Sequence, residues 1–235
     1  MKGKFIVLEG GEGSGKTTQI KCLEAWLRQR SDLGFTEIEL TREPGGSPLC
    51  QKIRQVLLTP DANEEMQNRT ELLLYAADRA QHVEAWLRPW LNKGALVLCD
   101  RYTASTVAYQ GYGRGLDQTL IKEINHIATG GLEPDLTLWL DLDPEVGLAR
   151  AQIRGSRDRI EQADLQFHQN VRSGFAALHQ QQQPTNPKDL RPNSEGLRPT
   201  EGQRFIRIDA DQPIQRVTQD IQSVCDRVLK VWAQS

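Results

Sequence analysis

The sequence predicts an α/β fold, a five-stranded parallel sheet with helices on both faces. Three observations predict it. Five short apolar, β-rich runs lie at residues 5–8, 37–40, 95–99, 136–140 and 205–208. Stretches with apolar residues at helical spacing separate them. A glycine-rich loop joins the first run to the first helix. Strands that alternate with helices run parallel, because each crossover returns the chain to the same end of the sheet. Ligands of such sheets bind along the rim formed by the strand C-termini.

The elements follow in order. After the first strand and its glycines, Ile20, Leu23, Trp26 and Leu27 recur at helical spacing over residues 17–30. Leu72, Ala76, Arg79, Val83, Leu87 and Trp90 repeat in the same way before the third strand, and Leu120, Ile124 and Ile127 after it. Pro144 opens the next helix, after the fourth strand. The last helix is the cleanest, with Ile214, Val217, Ile221, Val224, Val228 and Val231 in 3-4 steps. The faces of the helices near residues 72–91 and 120–128 read equally as core or as subunit interface.

One stretch breaks the pattern. Residues 181–204 hold four of the eleven prolines and only two large apolar residues, Leu190 and Leu197. Such a segment buries too little to offset its ordering entropy, so a flexible surface insertion is expected there. The 235 residues are otherwise read as one domain with a sizeable core.

Composition excludes several classes. With 29 Lys and Arg against 31 Asp and Glu, the net charge is −2, unlike a protein that coats nucleic acid. No apolar run nears the roughly 18 residues of a membrane span, so no membrane partner is expected. Four apolar residues before the glycines are too few for a secretory leader. Cys22, Cys50, Cys99 and Cys225 lie far apart and form neither a zinc pattern nor a disulfide framework. A cytoplasmic location is expected.

The chemistry begins at Gly10-Gly-Glu-Gly-Ser-Gly-Lys-Thr17, which matches G-x-x-x-x-G-K-[ST] between a strand and a helix. Glycines let backbone N–H groups curl around a phosphate, and the helix N-terminus adds partial positive charge. Gly10, Gly11, Glu12, Gly13, Ser14, Gly15, Lys16, Thr17 and Thr18 are the expected ATP-binding residues. Lys16 is expected on the β- and γ-phosphates and the Thr17 hydroxyl on Mg²⁺. Asp100 ends a buried strand, where a second Mg²⁺ anchor belongs. Arg101 beside it is suited to hold a phosphate bidentately. Arg150, Arg154, Arg157 and Arg159 cluster after Pro144 around Gly155-Ser156, the pattern of a hinged lid over residues 150–161. Arginines closing over several phosphates would stabilise charge in transfer.

These motifs, in this order, resemble the bacterial thymidylate kinases (dTMP kinases). The likeness also rests on Thr41-Arg-Glu-Pro-Gly-Gly46, Leu73-Leu-Tyr-Ala-Ala-Asp-Arg79, the run from Asp100 to Gly111, Pro134-Asp-Leu-Thr-Leu-Trp-Leu-Asp141 and Asp158-Arg-Ile-Glu161. The resemblance implies a P-loop NTPase fold of the nucleoside monophosphate kinase kind, a homodimer, and transfer of the ATP γ-phosphoryl group to dTMP with Mg²⁺. It implies that Lys16, Arg101, Arg150, Arg154 and Arg159 are catalytic. It sets Arg101 on the dTMP phosphate with Arg42 and Arg54 as helpers, and Glu12 on the 3′-hydroxyl. Tyr75 stands where the family stacks a phenylalanine on thymine. Arg79 matches the arginine that reads a thymine carbonyl, and Thr106, Tyr109 and Gln110 match residues near the base edge. Glu9 and Asp100 are expected to flank the metal.

In a eukaryote-like branch of the family an arginine stands at the position of Gly13; here the charge must come from the lid. No general base is needed, and His82, His126, His168 and His179 are read as surface or partly buried helical residues, away from the motifs. Two rivals remain, another P-loop nucleoside or nucleotide kinase and a P-loop ATPase module without an acceptor.

Overall fold

The structure, a computed structural model, describes residues 2–30, 32–61, 63–153, 155, 158–182 and 204–233. The strands are β1 (Lys4–Glu9), β2 (Ile38–Arg42), β3 (Leu96–Asp100), β4 (Leu136–Asp141) and β5 (Phe205–Asp209). They form one parallel sheet in the order β2-β3-β1-β4-β5. Every strand ends on a charged residue: Glu9, Arg42, Asp100, Asp141 or Asp209. A reading based on apolar runs therefore stops one or two residues short of each end. Those terminal charges are the start of the ligand rim.

The helices are α1 (Lys16–Arg28), α2 (Pro48–Leu58), α3 (Asn68–His82), α4 (Arg88–Asn92), α5 (Thr103–Thr106), α6 (Gln118–Thr129), α7 (Pro144–Ile153), α8 (Leu165–Gln181) and α9 (Ile214–Trp232). The single helix expected near residues 72–91 is instead α3 and α4 joined by a π-helical stretch, Val83–Leu87. Pro89 has no N–H to extend the regular ladder, and the wider turn ends just before it. A second π-helical stretch, Val107–Gly113, follows α5. Side chains cap several helices. Ser47, Asp117 and Asp164 accept from the N–H three residues on, at 3.2, 2.9 and 2.7 Å.

The central strand has apolar residues on both faces because both faces are covered. Ile6 and Leu8 point toward α1 and α9, into a core with Leu23, Leu27, Val217, Ile221 and Val224. Phe5 and Val7 point the other way, onto Val83, Leu87 and Tyr102. A third cluster, with Tyr109, Trp139, Phe167 and Phe175, locks α8 under Val107–Gly113. With β1 in the middle, the loop after it emerges at the centre of the rim, next to the end of β3.

Among the described residues, no helix is long and apolar enough to cross a membrane. All four cysteines are free. Most of the expected insertion (183–203) and two of the four lid arginines, Arg154 and Arg157, lie outside the described residues.

Candidate active site

The rim opens into a cleft of about 540 Å³. Its floor is the glycine-rich loop, with Glu12, Gly13, Ser14, Gly15, Lys16, Thr17 and Thr18 on the surface. Gly10, Gly13 and Gly15 all have positive φ, which explains why glycine stands there. The Lys16 ammonium folds back on the loop, donating to Gly10 O at 3.0 Å, Gly11 O at 2.7 Å and Ser14 Oγ at 3.2 Å. Burial and the nearby Arg101 push it down to about 8, against the pull of Glu12, Asp100 and Glu9. Thr17 donates its hydroxyl to Asp100 Oδ2 at 3.0 Å. A hydroxyl and a carboxylate are thus side by side, an oxygen pair of the kind Mg²⁺ takes.

Arg101 leaves β3 with φ 76°, a conformation side chains rarely adopt. The surrounding bonds impose it. Its own N–H donates to Leu8 O at 2.9 Å, and the next residue's N–H, Tyr102, donates to Glu9 Oε1 at 2.8 Å. Ser105 adds its hydroxyl to Glu9 Oε2 at 2.6 Å. Glu9, expected to flank the metal, sits beside the cleft and not on its surface. Both its oxygens are taken up beneath the Arg101 turn, it does not line the cleft, and burial pushes its carboxyl up. Its service is to hold a strained turn that aims Arg101 back over the loop.

The Arg101 guanidinium meets Gly10 O at 2.8 Å and Glu12 Oε1 at 2.7 Å, and lies 5.0 Å from the Tyr109 ring centroid. Tyr109 donates its hydroxyl to the same Glu12 oxygen at 2.7 Å. Both bonds land on Oε1, so Oε2 is left to accept from a ligand. Burial opposes the Glu12 charge, but Arg101, Lys16 and the Tyr109 hydroxyl outweigh it and hold the carboxyl down to about 2.

The far wall is a buried polar network. Arg79 donates to Glu43 Oε2 at 2.7 Å, Thr106 Oγ1 at 2.7 Å, Asn125 Oδ1 at 3.0 Å and Tyr102 O at 3.0 Å. A guanidinium has five N–H groups, so one remains for the cleft that Arg79 helps line. His82 bridges Glu43 Oε1 at 2.9 Å and Thr41 Oγ1 at 2.8 Å. That corrects the reading of the histidines. His82 and His168 are buried, and His82 touches the Thr41–Gly46 motif directly. Its helix face points inward because Glu43 and Thr41 supply polar partners there, which apolar periodicity does not register.

Arg42, Arg54, Tyr75, Thr106, Tyr109, Gln110, Asp100, Arg101 and Arg150 all line the cleft. Burial and the neighbouring Arg42 both push the Arg54 guanidinium down, as expected where cations converge. Burial raises the Tyr75 phenol, so it stays neutral. Arg159 is not brought to the cleft. Its Nε donates to Leu57 O at 2.8 Å and its Nη2 stands 2.6 Å from Glu71 Oε2, behind the wall. Asp158, Ile160 and Glu161 of that segment face the cleft instead. Arg150 donates to Ala210 O at 3.3 Å and approaches Asp211 at 3.4 Å, on the opposite side.

Sequence reasoning missed Glu43, Glu71 and Ser105. Each had a visible sign. Glu43 follows a strand end, Glu71 precedes Tyr75 by one helical turn, and Ser105 lies one turn after Arg101.

A family model described as thymidylate kinase matches residues 8–190. The chain belongs to the thymidylate kinase family. Two curated relatives agree over almost the whole length. The thymidylate kinase of Trichodesmium erythraeum is 48% identical, covering 99% of this chain and 99% of that protein. That of Thermosynechococcus vestitus is 52% identical, covering 98% of this chain and 90% of the relative. Among solved structures, the crystal structure of thymidylate kinase from Ehrlichia chaffeensis superposes with a TM-score of 0.71 at 28% identity, over 96% of this chain and all of that one. The chain is therefore a nucleotide-binding kinase, and its five-stranded parallel sheet is the fold of that family.

Proposed function

We propose that the cleft transfers the γ-phosphoryl group of ATP to the phosphate of dTMP, giving ADP and dTDP. The observation that carries this reading is the pairing of Arg101 with Glu12 across the glycine-rich loop at 2.7 Å. One side of that pair faces the ATP loop and the other faces the wall of Tyr75, Arg79, Thr106 and Gln110. Two phosphate-bearing ligands are thereby led to one point.

The terminal P–O bond of ATP breaks as an oxygen of the dTMP phosphate bonds to the same phosphorus. Near neutral pH the acceptor oxygen is already largely unprotonated, so no side chain has to take a proton. The chain supplies position and charge. Lys16 exchanges its bonds to Gly10 and Gly11 for phosphate oxygens. Arg101, with Arg42 and Arg54 as helpers, holds the acceptor phosphate, and Glu12 Oε2 accepts the sugar hydroxyl. Tyr75 lies against the base, keeping a stacking face worth about 0.5–1.5 kcal/mol beyond burial. Arg79 directs its remaining N–H at a thymine carbonyl. Thr17 and Asp100 are the residues that would hold Mg²⁺, whose charge offsets that of the phosphates when it is bound. Arg150 and Arg154 are assigned to the donor phosphates.

We assign the whole chain to one kinase domain acting as a homodimer. Leu73 on α3 is 56% exposed and Ile127 on α6 is 74% exposed, apolar surface suited to a second copy. Light scattering on the purified protein should give twice the monomer mass.

An ADP-release assay against dTMP, dUMP, dCMP, dGMP and AMP tests the assignment. Release with dTMP above all others, abolished by chelating the divalent ion, is expected. Equal release with every acceptor, or release without any, would overturn it.

A further inference from the structure

A buried carboxylate behind the base-facing wall has no part in the transfer described above. Glu71 is fully buried on α3. Its Oε1 accepts from Gln110 Nε2 at 2.7 Å. Its Oε2 lies 3.2 Å from Arg114 Nη2 and 2.6 Å from Arg159 Nη2. Glu71, Tyr75 and Arg79 are spaced by four, so they share one face of the helix. The last two line the cleft; the first stands one turn below it.

The chemistry of Gln110 makes this position informative. Its side chain is an amide with an acceptor oxygen and a donor nitrogen, and a half-turn about the last bond exchanges them. A carboxylate only accepts while it is ionised. Burial works against ionisation here, but Arg114, the Gln110 amide and Arg159 together hold Glu71 below the ordinary carboxylate range. Nε2 must therefore face Glu71. Gln110 lines the cleft, and with one Nε2–H held by Glu71 its Oε1 stays turned away from the carboxylate as the amide's free acceptor, beside the second Nε2–H.

We infer that Glu71 is a positioning residue that sets base specificity without touching substrate, by fixing the Gln110 amide so that an acceptor faces the base edge. An acceptor at that point pairs with the N3–H of thymine or uracil. It meets the bare N3 of cytosine as one lone pair against another. Arg79 acts in the same sense, since its remaining N–H suits a carbonyl and opposes the amino group of cytosine. Arg114 and Arg159 serve the arrangement as counter-charges, which gives Arg159 a purpose away from the phosphates.

The inference rests on the dTMP reading, and the test separates the two. Steady-state kcat/KM is measured for dTMP and dCMP with the wild type, Glu71→Gln, Glu71→Asp and Gln110→Ala. The wild type should strongly prefer dTMP; failure to do so would overturn the function itself. Given that preference, Glu71→Gln frees the amide to turn, and the dTMP-to-dCMP ratio should fall at least about tenfold, carried by the KM for the monophosphate, while the KM for ATP stays within about twofold. Glu71→Asp keeps the charge that Arg114 and Arg159 need, so it preserves the fold if Glu71→Gln does not. It withdraws the carboxylate by one methylene and should lower the ratio by a smaller factor. In a Gln110→Ala background, adding Glu71→Gln should change the ratio no further. An unchanged ratio in folded Glu71→Gln and Glu71→Asp, or equal losses of kcat with both acceptors, would reduce Glu71 to a packing role and overturn the inference.

Discussion

The two sides of the cleft are built differently. The wall assigned above to the monophosphate is a closed network. Arg79 and Glu43 are both 3% exposed, and each bond of one member fixes another. The side assigned to the donor is sparse. Arg150 is 42% exposed and makes two long contacts, to Ala210 and Asp211. The difference teaches where selectivity and turnover reside. A buried network pays its ordering cost during folding, so it is ready before the ligand arrives. A loosely held arginine can move with the ligand, which suits charge that matters only in the transition state. Substitutions in the wall should damage recognition and stability together. Substitutions on the donor side should damage turnover alone.

The largest effect tests the hinge between the two sides. Arg101→Ala should lower kcat/KM for dTMP by about 10³, because it removes the guanidinium assigned to the acceptor phosphate and leaves Glu12 Oε1 with only the Tyr109 hydroxyl. The KM for ATP should stay within a few-fold, and equal weakening of both ligands would break the division. Next is Arg79→Ala, which leaves Glu43 Oε2 buried without its guanidinium while Oε1 keeps His82. Breaking such a buried pair costs about 3–5 kcal/mol, or roughly 10 °C in Tm for a chain of this size, read by calorimetry without ligand. A shift below about 2 °C would mean that the wall is not cooperative. Arg150→Ala should lower kcat by about tenfold with Tm unchanged within about 2 °C, read by the same two assays.

The smallest effect sharpens the account of the wall. Asp78 Oδ1 accepts from Gly45 N at 2.9 Å, but its Oδ2 is buried with no hydrogen-bond partner among the described residues. Burial first, and then Glu43, raises its carboxyl from 3.8 to about 6. The folded state therefore holds a proton that the unfolded state has released. That stabilisation is complete below pH of about 4 and is lost as pH rises through about 6. Asp78→Asn keeps the acceptor for Gly45 and removes the charge. Tm at pH 8 should rise by about 2–4 °C, and the decline in Tm between pH 4 and 7 should flatten. An unchanged slope would show that another group titrates there.

Much of the fold was legible because it is written in apolar periodicity. β1, β3 and β4 are nearly continuous apolar runs, and α9 is amphipathic from Ile214 to Val231. The cleft lining was legible through motifs, whose residue types are fixed by phosphate and base chemistry. What did not show was the support behind the lining. Glu9, Glu43 and Glu71 are charged residues on strand ends or helices, and their sequence neighbours look like those of any surface carboxylate. Each is buried only because a partner distant in the chain meets it: Glu9 meets Ser105, Glu43 meets Arg79 and His82, and Glu71 meets Gln110 and Arg159. Pairing across such distances leaves no period to detect. Arg159 follows the same rule: its place in the cluster pointed to phosphate, while Leu57 O and Glu71 hold it behind the wall.

The contact between the glycine-rich loop and α7 has an evolutionary consequence. A Cβ on Gly13 would lie 2.0 Å from the Gly147 carbonyl oxygen, and a Cβ on Gly147 would lie 2.2 Å from that of Glu12. Two backbones press together with no room for a side chain, and Gly13 also has φ of +65°. An arginine at position 13, the arrangement of the other branch of the family, is therefore closed to this chain while α7 stays where it is. A side chain at position 13 and α7 in its present place exclude one another. Position 13 of this chain cannot gain a side chain by one substitution alone; the helix must give way first.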